Sequence, residues 1–185
     1  MVLAAPPDRI GEFESAVAVS HLAVRVVPGG DSRSASVAAA LAAVGSAVTV
    51  VHDAARPLVT AQLIDAVVEE LISTEGCDCV LAATPVTDTI KQAGDDRVVE
   101  DTIDRSRLWA AQTPQAFRTD ALRRGLESAD SLAAATDDAM LVEGIGGRVV
   151  LCPAPPENLK VTTALDLRVA ELLLTELDGG RGPGA

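Results

Sequence analysis

The chain alternates between two hydrophobic rhythms for its first 84 residues. Short apolar runs fit strands: VLAAP at 2–6, LAVRVV at 22–27, VTVV at 48–51 and CVLAAT at 79–84. Between them, apolar residues recur every three or four positions, which is the period of one helix face. One such segment begins near Asp8, with Ile10, Phe13 and Val17 as its apolar face; SVAAALAAV (36–44) is Ala-rich; a third starts at Thr60, with Leu63, Val67 and Leu71 one turn apart. Strands and helices linked by short connections predict a parallel sheet covered on both faces. The β-branched run Val48–Val51 reads as a strand buried on both of its faces.

After Thr84 the alternation breaks. Residues 84–112 carry short polar–apolar alternations around a turn-rich Gly94-Asp95-Asp96, which predicts an extended hairpin or arm. Its apolar residues need another surface to cover them, and a partner subunit is one candidate. Helices are expected near 119–129 and 137–144, the second with Thr136 as N-cap and Asp137 and Asp138 in its first turn. RVVLC (148–152) reads as another strand. In the closing helix Thr163 and Asp166 form a capping box, and Leu165, Val169, Leu172 and Leu173 form the expected buried stripe. A single domain is expected over 1–178, with a disordered tail at 179–185.

Composition narrows the class. Fifteen basic residues against 27 acidic ones give a net charge of −12, and such a surface repels phosphate backbones and anionic membranes. A few cations gathered at a strand end can still reverse the sign locally. No apolar run is long enough to span a bilayer, and the amino-terminal residues lack the basic n-region of a signal peptide. Cys77, Cys79 and Cys152 are odd in number and read as free thiols in a reducing cytoplasm.

Four segments concentrate polar chemistry at predicted strand ends, where ligands bind in open α/β sheets. In VVPGGDSRSASV (26–37), Gly29 and Gly30 let backbone approach a ligand, and Asp31 and Ser36 offer hydrogen-bonding edges; a capped strand-to-helix turn explains the same residues. In VVHDAARP (50–57), Asp53 suits a divalent cation and Arg56 suits phosphate. A structural Asp–Arg pair is the alternative, and His52 is either a satisfied half-buried imidazole or a base. Thr84, Thr87, Asp88, Thr89 and Lys91, and later Thr113-Pro114-Gln115, cluster hydroxyls and charges that also suit plain loops. Lys160 sits between Leu159 and Val161, where an ammonium either finds a partner such as phosphate or Asp53 or snorkels to solvent.

In this order PGGDSRSASV, VVHDAARP, ATPVTDTIK, LWAAQTPQAF, TDDAMLVE and ENLKVTTALDL resemble the methylerythritol-phosphate cytidylyltransferases of the non-mevalonate isoprenoid pathway. HDA-R-P alone recurs in related sugar and polyol nucleotidyltransferases; the ordered set is much more specific, and the match covers nearly all of residues 2 to 177. The resemblance implies an α/β fold: a Rossmann-like, mostly parallel sheet with helices on both faces and a protruding β-arm used for dimerisation. It implies transfer of a cytidylyl group from CTP to 2-C-methyl-D-erythritol 4-phosphate with Mg²⁺ or another divalent cation, in a cytoplasmic homodimer.

Carried over position by position, the nucleotide contacts are Gly29, Gly30, Asp31, Ser36, Asp53 and Ala54. Asp53 is the metal ligand, Asp53 and Lys160 are the catalytic pair, and Arg56 and Thr102 are polyol-phosphate contacts completed by the partner's arm. Where the family often has an arginine after the TPQ-F segment, this chain reads Arg118-Thr119. The family's first strand and its glycine-rich loop, with an arginine and a Pro-Lys pair, have no counterpart before Gly29. The resemblance therefore implies a shortened cytidylyltransferase. A relative acting on ribitol 5-phosphate, or a short non-catalytic binding or dimerisation paralogue, are the alternatives.

Overall fold

The computed structural model describes residues 1–128 and 137–179. Among these residues eight strands and six α-helices follow in the order β1 (Val2–Ala5), α1 (Ile10–Val17), β2 (Arg25–Pro28), α2 (Arg33–Leu41), β3 (Val48–Val51), α3 (Ala61–Ser73), β4 (Cys79–Pro85), β5 (Ile90–Ala93), β6 (Val99–Ile103), β7 (Trp109–Arg118), α4 (Thr119–Ser128), α5 (Ala139–Gly144), β8 (Val149–Pro153) and α6 (Ala164–Gly179). Strand and helix alternate as the hydrophobic rhythm predicts. The chain divides into two compact units, one of 1–51, 68–80 and 115–150, the other of 52–67, 81–114 and the residues from 151 onward.

The strands form three sheets. β1 and β2 pair in parallel, Val2 opposite Arg25 and Ala5 opposite Pro28. A four-stranded sheet has the order β3-β7-β4-β8, with β3 antiparallel to β7 (Val48 opposite Arg118, Val51 opposite Gln115). β5 and β6 make an antiparallel hairpin, with a register shift between Gln92 and Ala93 and a left-handed Arg97 in its turn. A hairpin was expected within 84–112, and Val98 and Val99 are exposed on this one.

The core is built from small apolar side chains. In β4, Cys79 to Ala83 are buried in succession, as are Ala116 and Phe117 of β7. Leu63, Val67 and Leu71 of α3 are buried, as one-turn spacing requires, and the adjacent Ala121 and Leu122 of α4 are buried in turn. All three cysteines are buried and free; burial pushes the Cys79 thiol far above its ordinary value, so it stays protonated.

Three expectations are corrected. β3 is half-buried at every residue rather than buried on both faces, because it pairs only with β7 among the described residues and stands at the sheet edge. The second strand starts at Arg25, not Leu22, because the Ser20 hydroxyl accepts the Leu22 N–H and holds a turn there. In α6 the capping box forms as expected, with Asp166 Oδ2 accepting from Thr163 N at 2.7 Å and Thr163 Oγ1 accepting from Asp166 N at 3.2 Å. The inward face, however, carries Asp166, Ala170 and Leu173, while Leu165 (67% exposed) and Leu172 (60%) look outward with Val169. Thr136 and the tail from 180 lie outside the described residues.

Candidate active site

The polar cluster in the second unit begins where the apolar run ends. Past Val51 the backbone turns, and Arg56 N donates to Asp53 O at 2.9 Å before Pro57 stops regular pairing. The turn is clamped by one threonine and one imidazole. Thr113 Oγ1 accepts the Asp53 N–H at 3.0 Å and lies 3.1 Å from His52 Nδ1. His52 Nε2 lies 3.1 Å from the Arg56 carbonyl, which can only accept. His52 therefore carries its proton on Nε2, and Nδ1 accepts from the Thr113 hydroxyl. Burial pushes the imidazole below its ordinary pKa, with the Arg56 carbonyl and Asp53 opposing, which favours this neutral form. Both ring nitrogens of His52 are thus satisfied.

The ENLK segment closes the cluster. Lys160 Nζ donates to Asp53 Oδ2 at 2.8 Å across 107 residues of sequence. Val161 N bonds the Ala55 carbonyl at 2.8 Å, tying the segment to the turn by backbone as well. Asn158, 1% exposed, donates Nδ2 to Gln112 Oε1 (2.7 Å) and to the Thr113 carbonyl (2.9 Å), while its own carbonyl accepts from Arg56 Nη1 at 2.7 Å. Three remote segments are thereby locked into one unit. Arg56 is nearly buried, its pKa lowered by burial with Asp53 opposing, and its Nε has no hydrogen-bond partner among the described residues. A guanidinium fixed beside an ammonium–carboxylate pair is suited to phosphate.

The glycine turn belongs to the first unit. Gly29 N bonds the Ala5 carbonyl at 2.8 Å, Gly30 N bonds Ser36 Oγ at 3.1 Å, and Ser36 Oγ donates to the Ser32 carbonyl at 2.9 Å. Ser32 caps α2 by accepting from Ala35 N at 3.1 Å. Glycine is required at 30 by space: a Cβ there would lie 2.6 Å from the Ala35 Cβ. Asp31 is exposed at the tip. The structure thus groups Gly29, Gly30 and Ser36 in one hydrogen-bonded turn, and Asp53, Arg56 and Lys160 in one cluster.

Thr102 stands on the β5–β6 hairpin, where its hydroxyl accepts from Lys91 Nζ at 2.6 Å. Ala54 is exposed in the turn between Asp53 and Arg56. The Arg118 guanidinium donates to the carbonyls of Leu71 (3.1 Å) and Cys77 (3.4 Å), so it braces the fold. Among the described residues no three His, Cys, Asp or Glu side chains gather as a metal cage. A single sheltered carboxylate, Asp53, 16% exposed, fits instead a hard divalent ion that keeps waters and phosphate oxygens as its other ligands.

Asn158 was not legible as a site residue, because an asparagine after Pro155-Pro156-Glu157 looks like any turn former. Thr113 was legible only as loop punctuation.

The family model described as "IspD: 2-C-methyl-D-erythritol 4-phosphate cytidylyltransferase" matches residues 1–176. The Saccharopolyspora erythraea protein of that name is 44% identical over 179 residues, covering 94% of this chain and 78% of the relative. The Symbiobacterium thermophilum protein is 47% identical over 173 residues, covering 90% and 72%. Among solved structures, the 4-diphosphocytidyl-2C-methyl-D-erythritol synthase of Anaerococcus prevotii superposes with a TM-score of 0.83 at 26% identity, covering 94% of this chain and 80% of that one. The Thermus thermophilus 2-C-methyl-D-erythritol 4-phosphate cytidylyltransferase gives 0.79 at 31% identity, covering 94% and 81%. The strand-end carboxylate, the ammonium that meets it and the glycine turn therefore stand on an α/β chain that belongs to the 2-C-methyl-D-erythritol 4-phosphate cytidylyltransferase family.

Proposed function

We propose that the chain is a nucleotidyltransferase that joins CTP to 2-C-methyl-D-erythritol 4-phosphate and releases pyrophosphate. A phosphate oxygen of the polyol phosphate attacks the α-phosphorus of CTP in line, a bond to phosphorus forms, and the bond to the pyrophosphate oxygen breaks. Such transfers are accelerated mainly by positioning and by cations held where negative charge develops. Lys160 supplies the ammonium, and Arg56, fixed by the Asn158 carbonyl, supplies a rigid guanidinium. Gly29, Gly30, Asp31 and Ser36 form the cytosine side, where backbone groups come close because residue 30 has no side chain. Ala54, exposed in the turn, lends backbone to the nucleotide. Asp53 would hold a divalent ion such as Mg²⁺, which when bound supplies further neutralisation of phosphate charge. The observation that carries the reading is the 2.8 Å contact between Lys160 and Asp53 at the end of an apolar strand.

The active species is a homodimer. Val98 and Val99 are exposed on the hairpin, and Thr102 stands on the same element, so a partner subunit that covers the apolar residues also receives the hydroxyl as a polyol-phosphate contact. Among the described residues no helix is long and apolar enough to cross a membrane, and the chain acts in the cytoplasm on small phosphorylated substrates, not on nucleic acid.

The test is product analysis. Incubation with CTP, Mg²⁺ and either 2-C-methyl-D-erythritol 4-phosphate or ribitol 5-phosphate should give pyrophosphate and a cytidine diphosphate ester with the first polyol only. A product with ribitol phosphate instead reassigns the substrate. Absence of product and of CTP binding makes the chain a non-catalytic member of its family.

A further inference from the structure

Two consecutive aspartates open α5, and they divide the work unequally. Asp137 Oδ1 accepts the Met140 N–H at 2.9 Å, which is the local capping bond. Asp138 occupies the N-cap position yet makes no capping bond with its side chain. It is instead fully buried, and Arg33 Nη1 donates to its Oδ2 at 2.6 Å across 105 residues of sequence. Both residues lie in the first compact unit.

The pair is part-buried, with Asp138 enclosed and the Arg33 side chain 32% exposed, and it is an inefficient stabiliser, because the carboxylate must leave water and apolar residues of the same volume often serve stability as well or better. What such a pair supplies is a fixed relative position. Arg33 is the first residue of α2, directly after Ser32, whose hydroxyl caps that helix. Ser32 accepts from Ser36, Ser36 accepts from Gly30, and Gly29 is bonded to Ala5, so residues 29–36 form one continuous piece. The piece is rigid internally. Its Asp31 tip is exposed, and α2 offers only two buried residues, Ser34 and Leu41, to anchor it.

We infer that Arg33 and Asp138 are positioning residues, a clamp that fixes the amino end of α2 and so holds the Gly29–Ser36 turn in the shape that receives the nucleobase. Neither residue touches the nucleotide. The inference rests on the cytidylyltransferase reading for the identity of the ligand, and on geometry alone for the clamp.

The experiment compares the 185-residue chain with its Arg33→Met/Asp138→Leu double variant, which removes both charges of the pair together. Three quantities are measured: melting temperature, Mg·CTP affinity by calorimetry, and amide exchange at Gly30, Ala35 and Ser36. The clamp predicts an unchanged or raised melting temperature together with at least tenfold weaker CTP binding. It also predicts at least tenfold faster exchange at those three amides, with β4 amides unaffected. CTP affinity and turn exchange both within threefold of wild type overturn it. Should the double variant fail to fold, Arg33→Gln, which keeps a donor toward Asp138, carries the same readouts and the same thresholds. A wild-type chain that binds no CTP sinks the nucleotide reading, and the exchange rates then decide the clamp by themselves.

Discussion

Lys160 and Asp53 are 107 residues apart in sequence and 2.8 Å apart in space, and the contact sets the sheltered carboxylate against a side chain that is 42% exposed. A pair this open to water adds little to stability, roughly 1 kcal/mol at most. In the proposed reaction its value lies in the ammonium, held ready for phosphate. Lys160→Met should therefore lower kcat by about 10²–10³-fold, the usual penalty for removing one preorganised group that stabilises transition-state charge, while the melting temperature moves little. Steady-state rates and a thermal melt of the same sample check both halves. A rate within a factor of ten of wild type removes Lys160 from the mechanism.

Asn158 is the residue on which three segments depend. Truncation to alanine leaves Gln112 Oε1 and the Thr113 carbonyl without their amide donor. Loss of the donor to the buried Thr113 carbonyl costs about 1–3 kcal/mol, and the loss at part-buried Gln112 costs less. For a chain of this size each kcal/mol is roughly 2–4 °C of melting temperature, so Asn158→Ala should melt well below wild type and Asn158→Asp should not restore it, since a carboxylate cannot donate. A melting temperature for Asn158→Ala indistinguishable from wild type means that the network does not hold the segments together.

Local pattern made the helices legible and left the long-range polar contacts hidden. Leu63, Val67 and Leu71 could be assigned to the core because their spacing alone defines a face. The β-branched run at 48–51 gave the strand but not its burial, since whether a strand is central or at an edge depends on neighbours remote in sequence. In α6 the stripe 165/169/172 and the stripe 166/170/173 differ by a single step of about 100°. The more hydrophobic of the two was expected inside, yet the aspartate that caps the helix lies on the half-buried side, and small Ala170 is what fits beneath it. Lys160 was readable as a residue in need of a partner, with a phosphate or Asp53 as the candidates. Asn158 and the Arg33–Asp138 pair gave no such signal, for each looks locally like a turn or a cap.

Glycine at 30 is a spatial requirement and glycine at 45 is not. A Cβ at 30 meets Ala35 at 2.6 Å, with backbone behind it at 3.1 Å, and neither can rotate away; a Cβ at 45 meets nothing within 4 Å. Gly30→Ala must therefore displace either the turn or the first turn of α2, at a cost of about 1–3 kcal/mol typical of overpacking. Because the same turn forms the cytosine side in the proposed reaction, KM for CTP should rise with little change in KM for the polyol phosphate. Gly45→Ala should leave both unchanged. Equal kinetics for the two variants would separate the turn from nucleotide binding.

The amino end of α6 contains an acid whose titration reports directly on the capping box. Asp166 Oδ2 accepts from Thr162 N, Thr162 Oγ1 and Thr163 N at 2.9, 2.8 and 2.7 Å. Those donors favour the charged form and hold the pKa at about 2, the Thr162 backbone bond contributing most. Folding therefore lowers this pKa relative to the unfolded chain, so the unfolded state binds more protons wherever the two differ. The stabilising contribution is complete above the ordinary aspartate range and drains away as the pH falls through about 2. Carbon-detected NMR of the Asp166 carboxyl should show its midpoint near that value and close to the ordinary aspartate value in a peptide spanning the same residues. Thr162→Val, which deletes the hydroxyl donor but keeps the backbone one, should raise the midpoint only part of the way. A midpoint in the folded chain equal to that of the peptide would mean that the box is open in solution, and that something other than this cap fixes the rotation that turns Leu165 and Leu172 outward.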